Sequence, residues 1–267
     1  MKNLKLVIII VFITVGVLTL KISSAEENPC LTCHSDLKKT AKNVHLALGM
    51  GCAVCHKTVE GKNHPSQKGS ITLVQNMPGL CYSCHDESKF KGKSGHTAVG
   101  MCTGCHNPHS SNSDKILRSD QPELCYACHD KAKFTKKYVH AVVSMPNGCS
   151  SCHSPHLSDY PSLLVKNIND LCVTCHLPQS RGEHITSSII VGSKRKYHPI
   201  RGVTDPRFPG KPKKIPDPNR PGKEIDVFDP DNPGKELNCA SCHNPHSSDY
   251  RRLFPASNVC QLCHKYY

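Results

Sequence analysis

Cysteine and histidine are the residues of this chain most able to do chemistry, and they recur in one fixed order. The pattern Cys-x-x-Cys-His occurs nine times, starting at Cys30, Cys52, Cys81, Cys102, Cys125, Cys149, Cys172, Cys239 and Cys260. With the second cysteines, Cys33, Cys55, Cys84, Cys105, Cys128, Cys152, Cys175, Cys242 and Cys263, these motifs use all 18 cysteines. Each motif closes on a histidine: His34, His56, His85, His106, His129, His153, His176, His243 and His264. Two thiols at this spacing with an imidazole directly behind them form the attachment signature of c-type haem. The thiols add across the porphyrin vinyl groups, and the histidine becomes an axial ligand of the iron. Nine more histidines lie outside the motifs, namely His45, His64, His96, His109, His140, His156, His184, His198 and His246. One motif histidine and one distal histidine per iron consume all 18. The expected cofactor set is nine covalently bound haem c groups, each iron closed on both faces by imidazole.

Two other chemistries accommodate paired cysteines. A zinc array takes four ligands per site and needs no histidine locked behind every pair. A disulfide scaffold leaves the histidines without a role. Nine histidines in register with nine cysteine pairs favour haem over both.

The elements that must position these groups form an internal repeat. Aligned on the motifs, a two-haem repeat runs from Cys30 to Leu80, Cys81 to Leu124 and Cys125 to Leu171, with a fourth beginning at Cys172 and a half-repeat at Cys260. In the first three repeats a distal histidine, His45, His96 or His140, stands 15 residues after the first cysteine. In repeats two to four the second motif continues as His-x-Pro-His, giving His109, His156 and His246; repeat one departs from this with His64. His109 lies only three residues beyond His106. Three residues cannot carry the chain around a porphyrin edge, so His109, His156 and His246 are expected to ligate a neighbouring haem rather than their own. The proline favours an extended residue before it and ends the short helix carrying the motif.

Repeat four carries an insertion, 67 residues from Cys172 to Cys239 against 21 to 29 elsewhere. His198 matches the distal position of the earlier repeats and His184 is surplus, assigned by elimination to one of the last haems; the two could trade roles. A sub-repeat of period 12 follows, at Asp205–Lys211, Asp217–Lys223 and Asp229–Lys235. Its Pro and Gly offsets are turn chemistry. Residues 201–238 are expected to be a Pro/Gly-rich arm of turns and short strands, either a docking arm or a solvated loop. Met50, Met101 and Met145 precede second-position motifs, and the filled histidine inventory makes them packing residues rather than ligands.

Residues 1–25 read as an export signal: Lys2 and Lys5, an uncharged run from Leu6 to Leu20, then Ser23-Ser24-Ala25. An uncleaved anchor is the alternative, although the 15-residue run is short of the roughly 20 needed to span a bilayer. Residues 26–267 are then one nonahaem domain, periplasmic, outer-membrane associated or extracellular. The formal charge of +13 falls to +10 without the three lysines of the signal. Eighteen propionates absorb that excess, so basicity here is cofactor counter-charge and not a sign of nucleic-acid binding. Aromatics are 5% of the chain and Trp is absent. That is too little apolar protein to enclose each haem, so the porphyrins must themselves form the core.

Tandem Cys-x-x-Cys-His motifs with His-x-Pro-His tails resemble the doubled-motif multihaem c-type cytochromes. These include the porin-associated periplasmic decahaem cytochromes and the pentahaem electron donor of nitrite reductase. The resemblance covers Cys30 to His264 except the arm. It implies short helices and loops with little sheet, an extended haem-stacked repeat, and electron transport without catalysis. Implied partners are a quinol-oxidising donor and an outer-membrane porin or terminal reductase, with self-association in an extracellular filament as an alternative. A multihaem oxidoreductase enzyme is the competing class. It requires an iron with an open axial position, which a complete histidine count denies.

Overall fold

The computed structural model describes residues 28–38, 41–179, 183–227 and 229–264, with the backbone alone at 183–189 and 191. The expected export signal lies outside the described residues. Among those residues, no helix is long and apolar enough to cross a membrane. The chain divides into two compact units, Met1–Lys39 and Thr40–Tyr267. In the first, Cys30–Cys33 forms one helical turn (α1) and Ser35–Lys38 a 3-10 turn.

In the second unit every motif sits on a similar short turn, including α2 (Gly79–Tyr82), α3 (Cys102–Cys105), α4 (Glu123–Tyr126), α5 (Ile168–Val173) and α6 (Cys239–Cys242). A single turn brings both thiols to one side and delivers the histidine at its end. At α3 and α6, where His-x-Pro-His follows, the helix stops at the second cysteine and the motif histidine is extended, at φ −103° for His106 and −125° for His243.

Among the described residues, sheet is confined to two-stranded antiparallel pieces. Three of them join successive repeats. β1 (Asn43–Val44) pairs with β5 (Ser110–Ser111), β4 (Ser94–Gly95) with β7 (Leu157–Ser158), and β6 (Tyr138–Val139) with β12 (Ser247–Ser248). The other three are hairpins: β2 (His56–Thr58) with β3 (Ile71–Leu73), β8 (Glu183–Val191) with β9 (Lys194–Pro199), and β10 (Lys213–Pro216) with β11 (Glu224–Val227). Short helices and loops with little sheet are what the family resemblance implied. The β8–β9 hairpin was not expected from the sequence, where short strands were placed within residues 201–238 alone.

The arm carries backbone structure of its own, although most of its residues are exposed. Its first and third sub-repeats pair with each other: Lys235 N–H donates to the Phe208 carbonyl at 3.0 Å and Asp205 N–H to the Lys235 carbonyl at 2.8 Å. The second sub-repeat forms the β10–β11 tip. Gly210 and Gly234 sit at φ +83° and +80°, and a Cβ on either would fall 2.2 or 2.3 Å from the facing carbonyl oxygen. Asp205 is 2% exposed and binds Arg207 through both carboxylate oxygens, at 3.0 and 2.6 Å.

An apolar core is almost missing. Among the described residues the buried hydrophobic side chains are Val143, Ile200 and Leu237, while Leu46, Met50, Met101 and Met145 are 54–90% exposed. Protein alone does not fill this fold, which is the condition expected where porphyrins supply the missing apolar volume.

Candidate haem-binding sites

Among the described residues seven imidazole pairs recur at nearly constant spacing, six with ring planes within 32° of parallel and His198–His264 perpendicular. Ring centres lie 6.1 Å apart for His45–His85, His56–His109, His96–His129 and His140–His176. The spacing is 6.0 Å for His106–His156, 5.9 Å for His153–His246 and 6.2 Å for His198–His264. Every pair joins one motif histidine to one distal histidine. A metal–imidazole nitrogen bond is about 2.0 Å and the ring centre lies roughly 1.1 Å behind that nitrogen, so two imidazoles on one metal have centres about 6.2 Å apart. Ordinary aromatic packing in the same chain is tighter, 4.9 Å for Phe134–His246 and 5.6 Å for Tyr82–Phe90 and Tyr126–Phe134. The histidine spacing therefore fits an atom shared between the rings, not a packing contact. Among the described residues no three His, Cys, Asp or Glu side chains converge as a zinc site would require.

Hydrogen bonds fix which ring nitrogen is available. His106, His153 and His243 each have Nδ1 at 2.7–2.9 Å from the carbonyl nine residues on, at Lys115, Ser162 and Arg252. A carbonyl only accepts, so Nδ1 carries the proton and Nε2 keeps the lone pair a metal needs. The accepting turns hold two successive non-glycine residues at positive φ: Lys115–Ile116, Ser162–Leu163 and Arg252–Leu253, at 52–59°. Such residues cost about 1–2 kcal/mol each, and a serine hydroxyl clamps each turn: Ser111 to Leu117, Ser158 to Leu164 and Ser248 to Phe254. On the distal side, His45 and His140 have Nδ1 3.0 Å from the carbonyls of Pro108 and Pro245. The proline of one repeat's His-x-Pro-His thus orients a distal imidazole of another. These supporting groups escaped the sequence reading, although a serine five residues after the motif histidine and a Leu or Phe eleven after it recur three times.

Electrostatics suit neutral imidazoles. Burial first, then the neighbouring histidines, pushes the basicity of His109, His156 and His246 down. Phe90 and Phe134 brace the rings of His156 and His246 at 5.0 and 4.9 Å.

Thiol contacts follow the order of the motifs along the chain. Burial and the nearby Cys102 thiol push Cys81 up to about 11, and burial with Cys149 pushes Cys125 up to about 12. Cys172 shares a hydrogen bond with Cys239 that holds its own proton tightly. The two first cysteines of each of these repeats thus stand side by side. Between repeats, Cys55 acts on Cys81, Cys105 on Cys125, Cys175 on Cys152 and Cys263 on Cys242. None of the 18 cysteines is paired in a disulfide.

Four histidines remain. His34 ends α1, His64 shares a hydrogen bond with Ser70 Oγ at 3.1 Å, and His243 packs on Phe254 at 5.1 Å. At His184 the backbone alone is described, directly opposite His198 in the β8–β9 register.

The doubled CXXCH motif family matches residues 95–134, 140–181 and 232–267, and the cytochrome c7 and related cytochrome c family matches residues 38–107. Over 112 residues the chain is 31% identical to a protein of Shewanella baltica (strain OS185) named multiheme cytochrome MtrA, covering 39% of this chain and 32% of that one. The chain thus spans about a third of the length of the curated relative it matches. Motif inventory, paired imidazoles and these matches agree: the chain belongs to the multihaem c-type cytochromes built on doubled CXXCH motifs.

Proposed function

We propose that the protein is a nine-haem electron conduit in which bis-histidine ligation leaves no iron open to substrate. The observation that carries this is the set of seven motif–distal imidazole pairs at 5.9–6.2 Å. Bound haem supplies a one-electron ferric/ferrous couple, and axial histidine keeps its potential low compared with axial methionine. What the chain itself does is hold pairs of imidazoles at fixed spacing and lay out the thiols in sequence order. Attachment points that run consecutively put each cofactor beside the next, the arrangement electron hopping requires.

The ligand map has a rule. First-motif histidines His85, His129 and His176 face His45, His96 and His140 of the preceding repeat. Second-motif histidines His56, His106 and His153 face His109, His156 and His246 of the following repeat. Repeats two and three are thus each completed from both sides, which supports the expectation that a His-x-Pro-His tail serves a neighbouring haem. His198 faces His264 and takes the forward role in repeat four.

Covalent haem is attached outside the cytoplasm, and with the expected export signal this supports a periplasmic or outer-membrane-associated location. The partners are then a quinol-oxidising donor and an acceptor, a porin-embedded or terminal reductase system, as the partial match to the multihaem cytochrome MtrA suggests. Adding carbon monoxide or nitrite to the dithionite-reduced protein tests the closed-site reading. The absorption spectrum should not change; a ligand-induced Soret shift would refute the conduit and favour an enzyme.

A further inference from the structure

One buried amide holds repeat four together across its insertion. Asn169, on α5 ahead of Cys172, is 4% exposed. Its Nδ2 donates to the Ile200 carbonyl at 2.9 Å, where the arm begins. Its Oδ1 accepts from the Cys239 N–H at 3.0 Å, at the first residue of α6. A backbone carbonyl only accepts and a backbone N–H only donates, and a carboxamide serves both at once through two different atoms. These two grips lie on either side of the arm, whose base closes on itself through the Leu237 N–H, donating to the Val203 carbonyl at 2.8 Å. Ile200 and Leu237, two of the buried hydrophobic side chains among the described residues, flank the same place in the chain.

Repeat three uses the same device. Gln121, just ahead of α4, accepts the Ser150 N–H on Oε1 at 3.1 Å and donates from Nε2 to Ser150 Oγ at 2.7 Å. Ser150 lies in the 3-10 turn Cys149–Ser151 that carries the second motif. In both repeats, then, an amide ahead of the first motif grips the opening turn of the second. In both, the first cysteines of the two motifs share a hydrogen bond, Cys125 with Cys149 and Cys172 with Cys239. The connections differ in length: 24 residues from Cys125 to Cys149 and 67 from Cys172 to Cys239. A longer connection costs more entropy to close, so repeat four depends more on its clamp.

We propose that Asn169 is a positioning residue for electron transfer: it fixes the attachment turn at Cys239 beside the one at Cys172, so that the insertion does not break the relay. The step it serves moves one electron from a ferrous haem at one of these turns to a ferric haem at the other, with no bond made or broken. Asn169 acts through the backbone of α6 rather than through an axial ligand. This rests on the conduit reading above and adds to it the residue that carries the path past the arm.

The test uses the full holoprotein. Asn169→Ala should keep nine haems by intact mass and every haem low spin, yet lose part of the Soret exciton couplet in circular dichroism, a signal set by the distance and angle between neighbouring haems. Intramolecular electron equilibration after partial reduction should gain a slow phase. Asn169→Asp keeps an oxygen for the Cys239 N–H and should retain the couplet. Gly234→Ala, which loosens the arm alone, should retain it too, so that a changed couplet is not a general response to damage in repeat four. In a background of Cys239→Ala with Cys242→Ala, which lacks one haem of the pair, adding Asn169→Ala should change nothing. An unaltered couplet in Asn169→Ala, or an equal loss in the eight-haem background, overturns the proposal. Where Asn169→Ala does not take up nine haems, Asn169→Asp decides, and loss of the couplet there overturns it. Failure of the underlying reading looks different: the unmutated protein would already hold a high-spin haem or fewer than nine.

Discussion

Cutting the chain after Leu171, at the end of the third repeat, should open one haem and only one. The truncated protein keeps six motifs, from Cys30 to Cys149. Were each repeat self-contained, all six haems would stay closed. The structure predicts otherwise, because the ring facing His153 is His246, 5.9 Å away and beyond the cut. Its loss leaves the haem at Cys149 with one axial ligand, so one haem in six becomes high spin and binds carbon monoxide. His140 loses its counterpart His176 in the same cut, without opening any retained haem. The junction lost with it carries a fully buried serine: Ser247 Oγ donates to the Lys133 carbonyl at 2.9 Å and accepts from Lys136 N–H at 3.3 Å. Exposing those groups lets water replace the bonds, so the remaining repeats should persist. The assay is intact mass for haem count with carbon monoxide titration for open sites. His246→Ala in the full chain should open the same single site without truncation. Six low-spin haems in the truncated protein, or more than one open site, would refute the interleaved map.

Four further outcomes follow from the same geometry. Asp205→Asn removes the partner of Arg207 in a buried pair and should destabilise the arm by about 2–3 kcal/mol, read as faster proteolysis between residues 201 and 238 with an unchanged Soret spectrum. The Arg207 guanidinium holds the Asp205 carboxyl well below the ordinary carboxylate range. A depressed folded-state value contributes stability above about pH 4 that is lost only as pH falls through it, so the arm should resist proteolysis at pH 5 as well as at pH 7 and weaken in stronger acid. Gly234→Ala, with a Cβ aimed 2.3 Å from the Phe208 carbonyl oxygen, should open the arm to protease while leaving all haems low spin. Ser162→Gly relieves one left-handed residue in the turn that orients His153 and should raise the unfolding midpoint, by about 1 kcal/mol in stability, with no change in spin state.

What the sequence disclosed was covalent and local. Cys-x-x-Cys-His names its own chemistry, and the three-residue gap between His106 and His109 is a hard geometric limit. The arm's turns were visible too, since Pro and Gly at fixed offsets restrict φ. Pairings across the chain were not. Nothing in the residues around His184 states that they face His198, because the register of a hairpin is set by its turn and by the pairing of both strands together. The carbonyls of Lys115, Ser162 and Arg252 were equally hidden. Backbone groups carry no residue signature, and the left-handed turns that aim them use Lys, Ile, Ser, Leu and Arg rather than glycine.

The central claim is that each thiol pair tethers one porphyrin and each iron is closed by two imidazoles. Intact mass of the purified protein, combined with a spin count by electron paramagnetic resonance of the oxidised state, tests both halves at once. The account predicts nine haem masses on the polypeptide and nine low-spin ferric centres. A smaller haem count, or a high-spin ferric centre among the nine, would contradict it.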